Sequence, residues 1–193
     1  HVLRCFEEDN VTHVEGSIDP LRDAETIETE LMLADLESLE KRVDPLTKKV
    51  RGGDKDAKET LALVEQALAA LRDGHPARTV MPTDDRLRLF RQLQLLTAKP
   101  MLYVCNVEED AAANGNALSA KVAAWAQEQG SEAIVVSAKI EAEVAALEDA
   151  ADKAEFLGSL GLAEPGLNRL IRAGYRLLDL ITFFTVGPKE VRA

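Results

Sequence analysis

The 193-residue sequence has little of three things that mark specialised classes of protein. Two cysteines are too few for a disulfide scaffold, so a reducing, cytoplasmic location is expected. No apolar run approaches the roughly 20 residues of a membrane span, so no membrane association is expected. Lysine and arginine number 23 against 34 aspartates and glutamates, a net charge of −11. This balance excludes nucleic-acid coating by bulk charge, and DNA is not an expected partner.

Both ends of the sequence are typical of strands rather than of termini. Residues 1–6 have the pattern of a strand from the first position, with neither an initiator Met nor a signal peptide. Residues 182–193 have the pattern of a strand and turn just begun. We therefore interpret the chain as a fragment of a longer protein. Hydrophobic residues make up 46% of it, which suffices for a folded core, and we expect a monomer.

Residues 23–98 carry the apolar spacing of helices. A first helix is expected to begin at Asp19-Pro20 or near Asp23, and Pro45 is expected to kink or break it. Gly52-Gly53 is a chain-reversal signal. The return arm has apolar residues at alternating spacings of four and three, the seam of a coiled coil. These are Ala57, Leu61, Val64, Leu68 and Leu71. The pattern predicts an antiparallel coiled-coil hairpin.

A further helix is predicted within this region, and strand patterns begin after it. Residues 84–96 place Leu87, Phe90 and Leu93 on one helical stripe. Beyond Pro100, apolar strand patterns at residues 101–105 and 133–136 alternate with helical patterns. These helical patterns are at 117–129 and 140–150. Strand–helix–strand–helix order predicts an α/β fold with a parallel sheet, in which ligands bind beyond the carboxyl ends of the strands.

The loops after the two predicted strands resemble the base-recognition loops of P-loop GTPases. Asn106-Val107-Glu108-Glu109 follows the first strand and Ser137-Ala138-Lys139 the second. The GTPase pattern is Asn-Lys-x-Asp with Ser-Ala-Lys, so Val107 stands at the lysine position and Glu109 at the aspartate position. A short Asp carboxylate accepts the paired N–H donors of guanine, and a longer Glu does not fit that fork. Each unsatisfied buried donor costs about 1–3 kcal/mol, so we predict that ATP binds in preference to GTP.

Each loop residue has an expected role. Asn106 either holds the loop or meets the base edge, and the Val107 carbonyl accepts from adenine. The Lys139 stem covers one base face, and the Ala138 N–H is available as a donor. Ser137 is expected to brace the loop. The two other acids here, Glu108 and Asp110, are expected to be solvated charges.

Several stretches together resemble the YchF family of Obg-like ATPases. They are Arg4–Glu7, Asn10–Gly16, Asp19–Pro20, Tyr103–Val107, Ser137–Glu143 and Glu164–Asn168. The resemblance implies a P-loop G domain with a coiled-coil insertion, followed by a β-grasp TGS domain. It also implies hydrolysis of ATP in preference to GTP, Mg²⁺ dependence and ribosome association.

On this resemblance, residues 1–22 and 99–180 are parts of the G domain. Residues 23–98 are the helical insertion and 181–193 the start of the TGS domain. No Gly-x-x-x-x-Gly-Lys-Ser/Thr motif occurs in the sequence, so the phosphate-binding loop is absent from it. The chain alone is therefore predicted to be inactive, and no catalytic residue or metal ligand is assigned within it.

A basic run lies near the predicted reversal of the hairpin. Its members are Lys41, Arg42, Lys48, Lys49 and Arg51, opposed only by Asp44. Such a run is either a solvated helix face or an RNA- or ribosome-contacting tip. The alternative function to a nucleotide-binding protein is accordingly a non-enzymatic module whose hairpin binds RNA or a protein.

The remaining candidate residues have structural interpretations. Cys5 and Cys105 fall in predicted strands and are expected to be core residues. Phe6 either packs in the core or near the base. Glu141 and Glu143 begin a predicted helix, where acids favour the macrodipole, which explains them without a functional role.

Overall fold

The computed structural model describes residues 1–7, 18–186 and 191–192. The whole family stretch Asn10–Gly16 therefore lies outside the described residues. The chain divides into two compact units. The helical unit comprises Arg22–Pro100, and the α/β unit comprises His1–Leu21 with Met101–Ala193.

Helix α1 (Pro20–Arg51) starts at the first of the two expected positions. Asp19 Oδ1 accepts a hydrogen bond from the Leu21 N–H at 3.1 Å, which caps one of the free amides of the first turn. The helix continues through Pro45 without a break, so of the two expected outcomes, a kink or a break, the break is wrong. Proline removes one backbone hydrogen bond, but the flanking Val43 and Leu46 pack against the core of the unit and hold the helix together.

The chain reverses after α1 and returns as helix α2 (Lys55–Arg72). Gly53 adopts φ +85°, which a side chain would disfavour, and the Asp54 side chain caps α2 by accepting from Ala57 N–H at 3.0 Å. Arg72 near the end of α2 donates to Glu40 of α1 at 2.8 Å. The two helices therefore run antiparallel, as predicted.

The apolar core of the helical unit is wider than a two-helix seam. Besides Val64 and Leu68, α2 buries residues beside the predicted seam, such as Leu63 and Ala67. A short 3₁₀ turn (Ala77–Val80) and helix α3 (Leu87–Gln92) follow α2. Buried side chains from the segment after α2 belong to the same core as these α2 residues. Those of this segment are Ala77, Phe90, Leu93 and Leu95.

Helix α3 is shorter than the predicted span of 84–96. It ends at Gln92, and Gln94 takes a left-handed conformation at φ +55°. The buried Asp35 carboxylate accepts from Leu96 N–H at 2.7 Å and from Thr97 N–H at 2.8 Å. These bonds to α1 replace the helical bonds those amides would otherwise make, so a tertiary contact overrides the local pattern.

The sheet of the α/β unit has three parallel strands in the order β1 (Val2–Arg4), β2 (Leu102–Asn106) and β3 (Glu132–Val136). Leu3 pairs with Cys105, which in turn pairs with Val135. Two of the strands therefore end side by side, at Asn106 and Val136. The α/β class with a parallel sheet is confirmed.

Among its described residues this unit also has four helices and a short 3₁₀ turn (Glu109–Ala111). The helices are α4 (Ala117–Glu128), α5 (Ala138–Ala146), α6 (Ala150–Ser159) and α7 (Gly166–Leu177). The predicted helix 140–150 is wrong at its end, because Asp149 caps α6 by accepting from Ala151 N–H at 2.6 Å. Neither α6 nor α7 was predicted. Strands β4 (Thr185–Val186) and β5 (Val191–Arg192) form an antiparallel pair.

Helix α7 and the segment after it carry eight large apolar side chains that are exposed. The set comprises Leu167, Ile171, Tyr175, Leu178, Leu180, Ile181, Phe183 and Phe184. In the helical unit the exposed large apolar residues are instead scattered, at Ile27, Leu33, Met81 and Leu96. Within the described ranges, no helix has both the length and the apolar character needed to cross a bilayer.

Candidate functional site

The polar residues that follow β2 and β3 surround one pocket of about 310 Å³. Because the strands are parallel neighbours, their carboxyl ends meet at the same edge of the sheet. The lining residues are Phe6, Glu7, Asn106, Val107, Glu108, Glu109, Ser137, Ala138 and Lys139. All six residues assigned to base recognition from the sequence are among them. The volume lies at the lower end of the usual range for small-molecule sites.

Asn106 ties the two loops together. Its Oδ1 accepts a hydrogen bond from the Ala138 N–H at 2.9 Å, while its backbone carbonyl accepts from Cys5 N–H at 2.8 Å. The Ala138 N–H, expected to be available as a donor, is therefore occupied within the protein. With its oxygen engaged, the Asn106 side chain presents its Nδ2 donor to any ligand in the pocket.

Val107 is buried, and its N–H donates to the Val136 carbonyl at 2.9 Å. This bond fixes the start of the first loop against the end of β3. The side chain packs in the interior, so the remaining polar group that Val107 can offer a ligand is its carbonyl oxygen.

An ion pair joins the two loops at the side of the pocket. Lys139 Nζ donates to Glu109 Oε2 at 2.7 Å, and the two side chains are 68% and 41% exposed, respectively. Such an exposed pair contributes little to stability, at most about 1 kcal/mol. Its consequence is chemical, since it engages the carboxylate that stands at the position of the GTPase aspartate.

Ser137 differs from its expected role as a brace. Its side chain is only 3% exposed, and its hydroxyl makes no hydrogen bond to the part of the chain that the structure describes. Buried hydroxyls are normally paired, so an unpaired one beside a pocket is available to a ligand or an ordered water.

Phe6 lines the pocket, as the second of its two expected placements allows. The Arg4 guanidinium lies 4.8 Å from the Phe6 ring centroid, and Arg4 Nε donates to the Phe6 carbonyl at 3.2 Å. These contacts hold the ring at the end of β1.

Asn116, which the sequence reasoning missed, organises the neighbouring rim. Its Nδ2 donates to the Cys5 carbonyl at 2.6 Å and to the Glu108 carboxylate at 3.1 Å. Glu108 is therefore not simply a solvated charge. Asn116 also caps α4 through Ser119, and its place before a helical pattern was the signal that could have identified it.

Comparison with known proteins agrees with the resemblance in the sequence. The ribosome-binding ATPase YchF of Haemophilus ducreyi is 49% identical over 193 residues, which cover 100% of this chain and 53% of that protein. YchF of Bacillus subtilis is 47% identical over 195 residues, with the same coverage of 100% and 53%. A solved structure, the Schizosaccharomyces pombe YchF GTPase, superposes with a TM-score of 0.84 at 32% identity, covering 99% of this chain and 52% of that one.

The chain belongs to the YchF family. It spans about half the length of the curated relatives that it matches. No family model matches it.

The two cysteines of this YchF-family chain are core residues, as expected: Cys105 lies in β2 and Cys5 directly follows β1. Both are free and fully buried. The hydrogen bond with Cys105 raises the pKa of the Cys5 thiol, and burial raises it further. The same hydrogen bond lowers the pKa of Cys105, against the effect of burial. Across the described ranges no three His, Cys, Asp or Glu side chains are grouped so as to hold a metal ion.

The structure divides the basic run of the YchF-family chain into two sets. Lys48, Lys49 and Arg51 are exposed in the last turn of α1. Lys41 pairs with Glu37 at 2.6 Å, and Arg42 donates to Ser38 Oγ at 3.2 Å. The second set is therefore engaged with its own helix, and the first is the better placed to contact a partner.

Proposed function

We propose that the α/β unit is the base-binding part of an Obg-like P-loop NTPase that hydrolyses ATP in preference to GTP. Residues 1–22 and 99–180 are then parts of its G domain, 23–98 a coiled-coil insertion and 181–193 the start of a TGS domain. The phosphate-binding loop and the ligands of the Mg²⁺ ion that such hydrolysis uses lie in the parent protein outside this chain. The chain alone is then inactive.

The observation that carries the proposal is the bond between the two loops. Asn106 Oδ1 and Ala138 N lie 2.9 Å apart, and this contact arranges the six base-recognition residues around one pocket. The parallel pairing of β2 and β3 already brings the two loops to one sheet edge, and this bond adds a specific side-chain contact between them.

The contacts in the pocket favour adenine. The edge of adenine offers an exocyclic amino donor next to a ring-nitrogen acceptor. The Val107 carbonyl can accept from the first, and Asn106 Nδ2 can donate to the second. Guanine presents adjacent N–H donors instead, and these need a free carboxylate. The Glu109 carboxylate is bound to Lys139, so guanine would have to break that pair or leave its donors unsatisfied at about 1–3 kcal/mol each.

The base preference is tested by competition of ATP and GTP for the full-length parent protein. The double variant Val107→Lys with Glu109→Asp restores a short carboxylate and should move the ratio of affinities toward GTP by about tenfold or more. Asp110→Asn removes a neighbouring exposed carboxylate and serves as the control, with the ratio unchanged. Equal affinity of the unaltered parent for the two nucleotides would contradict the proposal.

The partner that we propose for the helical unit is the ribosome. Curated relatives carry the name ribosome-binding ATPase. In this acidic chain, Lys48, Lys49 and Arg51 form an exposed basic cluster at the end of α1, which suits contact with ribosomal RNA phosphates.

A further inference from the structure

Glu141 connects the second base-recognition loop to the start of α7. Glu141 lies in the first turn of α5, which begins inside that loop at Ala138. Its Oε1 accepts from the Gly166 N–H at 2.6 Å and its Oε2 accepts from the Leu167 N–H at 3.1 Å. One carboxylate therefore caps the first two amides of α7.

The carboxylate substitutes for a local cap that α7 lacks. Pro165 occupies the cap position and makes no side-chain hydrogen bond to the helix. The first amides of a helix need acceptors, and a negative charge at this end also interacts favourably with the helix dipole. The macrodipole of α5, to which the sequence pattern assigned Glu141, is therefore only part of its role.

Gly166 allows this contact by its lack of a side chain. A Cβ at this position would lie 2.9 Å from Glu141 Oε1 and 3.2 Å from a methyl group of Val136. Val136 directly precedes the loop Ser137–Lys139, and Glu141 follows it after one residue. Both flanks of the loop thus rest on the first residue of α7.

We infer that Glu141 is a positioning residue for base recognition, acting with Gly166 as a clamp on the loop 137–139. This inference rests on the proposed function, since it assigns the clamp a role in binding the base. The clamp keeps Ala138 N–H within reach of Asn106 Oδ1 and keeps Lys139 opposite Glu109. Without it, α5 and the loop lose their anchor on α7, and the base-binding geometry is no longer held.

The inference is tested in the full-length parent by measuring dissociation constants for ATP and for inorganic tripolyphosphate. Tripolyphosphate has no base, so it reports on the phosphate site alone. Glu141→Ala should weaken ATP by about tenfold and leave tripolyphosphate unchanged. Glu141→Gln keeps one oxygen acceptor and should recover part of the ATP affinity. Glu143→Ala, an exposed acid on the same helix, should change neither constant.

Gly166→Ala reaches the same contact from α7 and should weaken ATP in the same selective way. It provides the test if Glu141→Ala does not fold. Unchanged ATP affinity in both variants, or equal weakening of ATP and tripolyphosphate, would overturn the inference. Asn106→Ala separates this from failure of the proposed function. If Asn106→Ala leaves ATP binding intact, the pocket is not the base site. If Asn106→Ala weakens ATP binding but the Glu141 and Gly166 variants do not, the pocket binds the base and only the inference on the clamp is refuted.

Discussion

The two units of this chain both have buried apolar residues, but they differ in the large apolar residues that they leave exposed. The helical unit encloses a core of ten buried residues from α1, α2 and the chain that follows α2. The α/β unit has a sheet of three short strands, with every residue of β3 only half-buried. It also exposes the apolar set on and after α7, in which Ile181 is 83% and Phe184 72% exposed.

The difference therefore concerns the exposed surface, because each unit has a buried apolar cluster of its own. Hydrophobic burial contributes about 25 cal/mol per Å² of apolar surface, so a closed helical core stabilises itself. In the α/β unit, polar contacts in addition fix individual loops, as those of Asn106, Asn116 and Glu141 do. Exposed large apolar residues that follow closely along the chain, as on and after α7, are more typical of an interaction surface than single scattered ones.

The largest expected effect contrasts one buried and one exposed apolar residue. Leu39 of α1 is fully buried and Ile171 of α7 is 49% exposed. Leu39→Ala should lower the free energy of unfolding by about 2–5 kcal/mol, because it opens a cavity in the core. Ile171→Ala should cost less than about 0.5 kcal/mol. Urea unfolding followed by circular dichroism measures both values. Similar losses of unfolding free energy in the two variants would contradict the contrast between the buried and the exposed residue.

The next effect concerns the one buried carboxylate in the helical core. Asp35 is 3% exposed and also accepts from Thr97 Oγ1 at 2.7 Å, and Thr97 Oγ1 in turn accepts from Ala77 N–H at 2.9 Å. Asp35→Ala should cost about 3 kcal/mol of unfolding free energy, because it leaves buried donors unpaired. Asp35→Asn, which keeps one acceptor oxygen, should cost less. Glu30→Ala, an exposed acid on the same helix, is the matched control, and a loss as large there would exclude this explanation.

The smallest effect on stability is expected where the helical unit is proposed to act. Reversing the charges of Lys48, Lys49 and Arg51 to Glu should cost about 1 kcal/mol, from the helix dipole. In the full-length parent it should reduce the slope of log affinity for ribosomes against log salt by about 2–3. Lys121→Glu is a charge reversal of the same sign in the α/β unit and should leave the slope unchanged. An unaltered slope in the triple variant would show that the basic cluster is a solvated helix face and does not contact the ribosome.

The site was more predictable than the helices around it. Strand limits, parallel order and loop spacing follow from local residue patterns, so Asn106 and Ser137 could be expected at one sheet edge before any coordinates were known. The occupied Ala138 N–H, the unpaired Ser137 hydroxyl and the Glu109–Lys139 ion pair depend on side-chain geometry within a few ångströms. Asn116 and Glu141 reach partners far away in the sequence, which no local pattern reveals.

By itself, the sequence determined the class of fold, the chain reversal at Gly52-Gly53 and the residue types at the two loops, because backbone preference and apolar periodicity are local properties. Only the tertiary structure decided that α1 passes through Pro45, that α3 stops before Gln94 and that α7 starts at a carboxylate supplied by α5. In each of these cases a contact between distant residues competes with the local preference and provides the larger free energy.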